Sequence, residues 1–159
     1  MDWLTTYKLP LTLFLDNHDI RNNYNFFRRL QTAGMTIQNH TMNHPKLTNL
    51  PLADQQAEIC AAADTYKSVF DYRPTLMRPP YGLFNDTTRQ AAACGMKAIV
   101  MWHARIIKGV IQYQEGDRLQ PGDIVLMHFS LEFMTDIQAF INQIEHDHLQ
   151  VGRLEDWLQ

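Results

Sequence analysis

Two histidines four residues apart, in His40-Thr-Met-Asn-His44, have a spacing that chemistry can use. If the backbone between them makes about one turn, both imidazoles can reach one small cation. Pro45 disfavours a helix running through His44, so the segment reads as a tight loop. Two ordinary polar loop histidines would look the same, and the residue types leave both readings open. Arg78-Pro-Pro-Tyr-Gly82 is the second such segment. Its prolines stiffen the backbone just beyond an arginine. A segment of this kind can aim a cation and backbone N–H groups at a developing oxyanion; it can equally be a rigid crossover loop with an exposed arginine. Ile124-Val-Leu-Met-His128 is the third. A histidine closing a very apolar strand is either a satisfied rim residue or a general acid/base, for which an ordinary pKa of about 6.5 is suitable.

These residues need elements to position them. Leu11-Thr-Leu-Phe-Leu15 reads as a buried strand, and Thr36 to Asn39 as a short one. Between them Asn22 to Ala33 reads as a helix, with Phe26, Phe27 and Leu30 on one face and Gly34 as its stop. Leu52 to Phe70 is the longest helix, because Ile59, Ala62, Ala63 and Tyr66 recur at helical spacing. Leu76 to Arg78 reads as a strand, Asp86 to Cys94 as a helix closed by Gly95, and Lys97 to Met101 as a strand. Pro121-Gly122 marks a turn before the strand Ile124 to His128, and Met134 to Asp147 is amphipathic through Ile137, Phe140, Ile141 and Ile144. A short strand around Leu149 to Val151 and a turn at Leu154 to Leu158 end the pattern. The alternation predicts an α/β fold with parallel strands joined by crossovers. In barrels built this way, functional residues gather at the C-terminal ends of strands. His40, His44, Arg78, Trp102, His103 and His128 all fall at such ends, so one rim is expected to carry them.

The 159 residues suit one domain, 1–159, with no linker, repeat or low-complexity tract. An apolar content of 45% against 19% charged excludes a disordered chain. A net charge of −3 without a long basic run argues against nucleic acid and for a neutral or weakly charged substrate. No apolar stretch approaches the roughly 18 residues needed to span a bilayer. Leu9 to Leu15 lacks the basic flank and cleavage site of a signal peptide, and the compartment stays open. Cys60 and Cys94 both lie in Ala-rich helical segments and are expected to be buried free thiols rather than a disulfide.

In this order, the three segments resemble the polysaccharide deacetylases of carbohydrate esterase family four, the NodB-homology domain. Asn39-His-Thr-Met-Asn-His-Pro45 is similar to that family's metal-binding histidine motif, Arg78-Pro-Pro-Tyr81 to its R-x-P-Y groove motif, and Gly122-Asp-Ile-Val-Leu-Met-His128 to its Leu-x-His motif. The resemblance covers Leu9 to Leu158. It implies a distorted, incomplete (β/α) barrel and hydrolysis of N-acetyl, sometimes O-acetyl, groups on a polymer such as chitin or peptidoglycan. It further implies a divalent metal, usually zinc, held by an aspartate and two histidines, here His40 and His44. A second aspartate would act as base, oriented by Arg78. By the same resemblance, His128 is the general acid, the backbone N–H of Tyr81 holds the oxyanion, Leu126 lines the acetyl pocket and Trp102 walls the groove.

Two features depart from that pattern. The family's T-F-D-D motif, source of both aspartates, has no counterpart here. Only Met1 to Pro10 precedes the first strand, with Asp2 in a helical-looking stretch, so the chain is expected to begin after that motif and strand. The strand Leu11 to Leu15 would then present an unpaired edge and favour self-association. The fourth motif, an aspartate near a tryptophan, reads Met101-Trp-His-Ala-Arg-Ile106 and offers His103 or a backbone carbonyl as the partner of His128. Asp16 and Asp19 follow the first strand, but they read as a polar loop capping the next helix rather than as replacement ligands. Two functions follow: a deacetylase impaired by the missing aspartates, or a non-catalytic carbohydrate-binding relative that keeps the groove.

Overall fold

A computed structural model describes residues 8–158, so the stretch around Asp2 lies outside the described residues. The chain divides into two compact units. The first comprises residues 10–100 and returns at residue 153. Its apolar segments become four parallel strands in spatial order β1 (Thr12–Leu15), β2 (Thr36–Asn39), β3 (Leu76–Met77) and β4 (Ala98–Ile99). β1 pairs with β2 from Thr12 opposite Thr36 to Leu15 opposite Asn39, which sets the ends of both strands level. Among the described residues β1 and β4 are the two edges of this sheet.

The connecting helices show how local chemistry sets boundaries. α1 runs Asn17–Thr32, starting earlier than the apolar periodicity indicated. The Asp16 carboxylate accepts the Asp19 N–H at 2.8 Å and caps it, and Ile20 is buried in its first turn. The helix then kinks at Asn23 (φ −132°, ψ 26°), which hid the first turn from a regular 3.6-residue count. α2 spans Leu52–Phe70, as expected, and buries Ile59, Ala62, Ala63, Tyr66 and Phe70. It stops where Asp71 turns left-handed (φ 65°). α3 (Asp86–Ala91) begins with a capping box between Asn85 and Thr88 and ends before Cys94, which lies in the following turn. Leu47, Ile59, Met77, Ala91 and Ala92 form a core cluster between α2, α3 and β3.

The cysteines correct the expectation of free thiols: Cys60 on α2 and Cys94 are joined in a disulfide with Cα atoms 6.0 Å apart. An Ala-rich surrounding suggested two buried thiols, but the packing of α2 on α3 brings them together, which sequence spacing does not reveal. A bridge across 34 residues restricts the unfolded chain and is worth about 2–4 kcal/mol. Reduction should therefore lower the urea midpoint by a corresponding amount, and Cys60→Ala/Cys94→Ala should unfold at the reduced midpoint. Equal midpoints with and without reductant would show that the bond contributes nothing.

The second unit includes residues 101–152. Its sheet runs β6 (Val110–Tyr113), β5 (Ala104–Ile107), β7 (Val125–Leu126). β5 and β6 form an antiparallel hairpin, while β7 lies parallel to β5. The apolar strand expected at Ile124 to His128 thus shortens to β7 and joins this sheet rather than the four-stranded one. No strand forms near Leu149 to Val151. α4 (Phe133–His146) packs on the hairpin, where its buried Asp136 accepts the Gly109 N–H at 2.7 Å. No helix among the described residues is long and apolar enough to cross a membrane.

Candidate active site

The histidine loop begins where β2 ends. Asn39 is fully buried; its Nδ2 donates to Ile59 O at 2.8 Å and its Oδ1 accepts the Thr41 N–H at 2.8 Å. The His40 N–H donates to Leu15 O at 3.1 Å, continuing the β1–β2 ladder by one rung. The Tyr66 hydroxyl, from α2, donates to the same Leu15 carbonyl. Burial pushes its pKa up, so it remains a neutral donor. Thr41 (φ 71°) and His44 (φ 55°) are both left-handed, a conformation that costs a non-glycine residue roughly 1–3 kcal/mol. Thr41 Oγ1 accepts the His44 N–H at 3.1 Å and closes the turn.

This backbone places His40 Nε2 and His44 Nε2 3.1 Å apart, with the rings edge-on and their centroids 4.7 Å apart. His40 Nδ1 lies 2.7 Å from Arg78 O. A carbonyl can only accept, so Nδ1 carries the proton and the Nε2 lone pair faces His44. Burial lowers the His40 pKa to about 4; the Arg78 carbonyl opposes that fall, and the charges of His44 and Arg78 add to it. His40 is therefore a neutral imidazole at pH 7, the form that ligates a metal. A tetrahedral zinc with Zn–N distances of about 2.0–2.1 Å holds two ligand nitrogens roughly 3.3 Å apart. The pair fits two positions of such a site. Among the described residues, however, no group of three His, Cys, Asp or Glu side chains could complete it.

Arg78 extends β3 by donating its N–H to Asn39 O at 2.9 Å. Its side chain is buried, with the guanidinium 4.4 Å from the Phe14 ring centroid and Nε donating to Val100 O at 3.3 Å. Burial lowers its pKa to about 10, and it keeps its charge at pH 7. Tyr81 is left-handed (φ 60°) in the Pro80–Gly82 turn and packs edge-on against His44, with ring centroids 4.8 Å apart. The two-proline segment therefore serves the histidines twice, through the Arg78 carbonyl and through the Tyr81 ring. Asp16 caps α1, but Asp19, expected in the same capping loop, lies within the helix's first turn. The Asp19 carboxyl is pushed up by burial and by Asp16, with His18 and His44 opposing.

The other expected site residues lie in the second unit. Leu126 is in β7, opposite Arg105. Trp102 is half-buried just before β5, and His128 is exposed beyond the end of β7. His103 Nδ1 accepts the Ile124 N–H at 3.0 Å, so that nitrogen is engaged in holding β7. His40, His44, Arg78 and Tyr81 thus come together in the first unit, while Trp102, Leu126 and His128 belong to the other.

A family model described as polysaccharide deacetylase matches residues 1–99. The chain belongs to the polysaccharide deacetylase family. Among curated relatives of this deacetylase-family chain, an uncharacterised protein of Streptomyces coelicolor is 40% identical, covering 95% of this chain and 64% of that protein. A chitooligosaccharide deacetylase from a Bradyrhizobium strain is 29% identical over 80% of this chain and 62% of its own length. The chain therefore spans just under two thirds of either relative. A Bacillus anthracis structure described as a carbohydrate esterase family-four pseudoenzyme superposes with a TM-score of 0.84 at 19% identity, covering 99% of this chain and 58% of that one. A mutant of that pseudoenzyme is described as having restored enzymatic activity. The fold is accordingly of the family's α/β, NodB type.

Two contributors escaped the sequence reading. One is the Arg78 carbonyl, which orients His40; a backbone group leaves no mark in residue type. The other is Glu58, whose carboxylate meets the loop at Met42 and Asn43.

Proposed function

We propose that this chain supplies most of a metal-dependent deacetylase acting on an acetylated polysaccharide such as chitin or peptidoglycan. The observation that carries this is the pair of imidazole Nε2 atoms 3.1 Å apart, with His40 locked from behind by Arg78 O. In this reading His40 and His44 hold a divalent cation, most simply zinc. When bound, the metal polarises the acetyl carbonyl and acidifies a water molecule. The chain's own residues supply the other roles except that of the base, which falls to an aspartate pair this sequence does not contain. Arg78 orients the base, the Tyr81 backbone N–H takes the developing oxyanion, and His128 gives a proton to the departing amine. Leu126 receives the acetyl methyl and Trp102 walls the polymer groove.

A second reading, a carbohydrate-binding relative without catalysis, is favoured by one fact: the sequence contains no adjacent pair of aspartates. Acetate release from acetylated chitooligosaccharides decides between them, measured on this chain joined to an upstream strand bearing such a pair. The hydrolase reading expects release that a chelator stops and that His128→Ala suppresses by about 10²–10⁴-fold. Oligosaccharide binding without release, with any divalent metal added, would leave the binding protein.

A further inference from the structure

Five successive backbone N–H groups run from His40 to His44, and every one has an acceptor. Those of His40, Thr41 and His44 are met by Leu15 O, Asn39 Oδ1 and Thr41 Oγ1, all on the strands or the loop itself. The two in the middle, from Met42 at 3.1 Å and Asn43 at 2.8 Å, both donate to one oxygen of Glu58. The second Glu58 oxygen accepts from Asn43 Nδ2 at 2.7 Å. Glu58 lies on α2, immediately before Ile59, whose carbonyl anchors the Asn39 side chain. One turn of α2 therefore grips the loop at its start and at its middle. Of these acceptors Glu58 alone is a carboxylate, and charged acceptors hold N–H donors roughly twice as strongly as neutral ones.

We propose that Glu58 is a positioning residue for the His40–His44 pair: its carboxylate holds the Met42–Asn43 backbone so that the two ring nitrogens face each other. The inference rests on reading that pair as a metal site. The loop carries two left-handed residues, Thr41 and His44 itself, whose conformation is unfavourable unless the surrounding bonds enforce it. Without Glu58, the amides of Met42 and Asn43 turn to water, and the loop relaxes toward ordinary dihedrals. The nitrogens then separate while the rest of the fold, built on the core under α2 and α3, remains. Glu58→Gln keeps a carbonyl oxygen for the two backbone donors and, with the Asn43 amide reversed, a partner for that side chain too.

The test compares the parent chain with Glu58→Ala and Glu58→Gln. Zinc titration by calorimetry, well below each protein's unfolding temperature, should show a 10–100-fold weaker affinity for Glu58→Ala, the range for losing an outer partner of a metal ligand. Glu58→Gln should recover most of it. A merely structural role would lower the urea midpoint of Glu58→Ala and leave zinc affinity within about threefold of the parent, and that result overturns the proposal. A readout without metal separates its failure from that of the metal site. In the zinc-free chain, the Met42 and Asn43 amides should exchange faster in Glu58→Ala, and the imidazole ¹⁵N signals of His40 and His44 should shift, with Glu58→Gln close to the parent. If the parent binds no zinc, the metal reading falls, and unchanged ring signals in Glu58→Ala would then refute the positioning role by themselves.

Discussion

The 159-residue chain by itself should release acetate from acetylated chitooligosaccharides at least about 10²–10⁴-fold more slowly than the same chain supplied with an adjacent aspartate pair. The factor is that for loss of a general base, and an incomplete metal site adds to it. Three observations support it. The sequence has no Asp-Asp. The described residues hold no cluster of three ligating side chains. Asp16, the carboxylate closest in sequence to the end of β1, is committed to the first turn of α1 at 2.8 Å. Robust, chelator-sensitive release by the chain alone would mean that a carboxylate within it does the work. Asp16→Asn and Asp19→Asn would then locate it, since Asp19 is close enough for its charge to interact with that of His44.

Removal of either imidazole should abolish zinc binding as calorimetry sees it. With two imidazole ligands and no third among the described residues, the parent site should bind weakly, and His40→Ala or His44→Ala leaves one. The loss should exceed the roughly 10–100-fold that follows from losing an outer partner, which sets it apart from the Glu58 variants. In the parent, protons compete with the cation for the imidazoles, so affinity should fall as pH drops through the histidine range. Burial keeps His40 neutral well below pH 7, so at neutral pH proton competition at that ligand is slight. Unchanged affinity in His40→Ala would remove the pair from any metal site.

What could be read in advance followed from whether a residue's partner was near in sequence. α2 was legible residue for residue because its buried positions recur at helical spacing over nineteen residues. The histidine loop was legible because Pro45 and the end of β2 bound it closely. The hairpin β5–β6 was not: its two-residue turn is Lys108-Gly109, with φ 54° and 76°, and lysine is not among the residues that announce a turn requiring positive φ twice. The Cys60–Cys94 bond, the His40–Arg78 contact and the Glu58 clamp each join segments brought together only by packing. Residue type gives no sign of which distant group will arrive.

The cross-link between α2 and the turn after α3 also bears on how the protein is made. Disulfides form and persist in oxidising compartments, and reducing cytosol keeps thiols apart. The helix it holds is the one that carries Glu58, Ile59 and Tyr66 to the histidine loop. Material prepared in a reducing expression host would present that loop on a looser support. A low activity or poor metal affinity measured on such a sample would report its manufacture as much as its residues. The oxidation state of Cys60 and Cys94, checked by thiol titration or mass, is therefore the first specification for any preparation used to judge whether the chain is an enzyme.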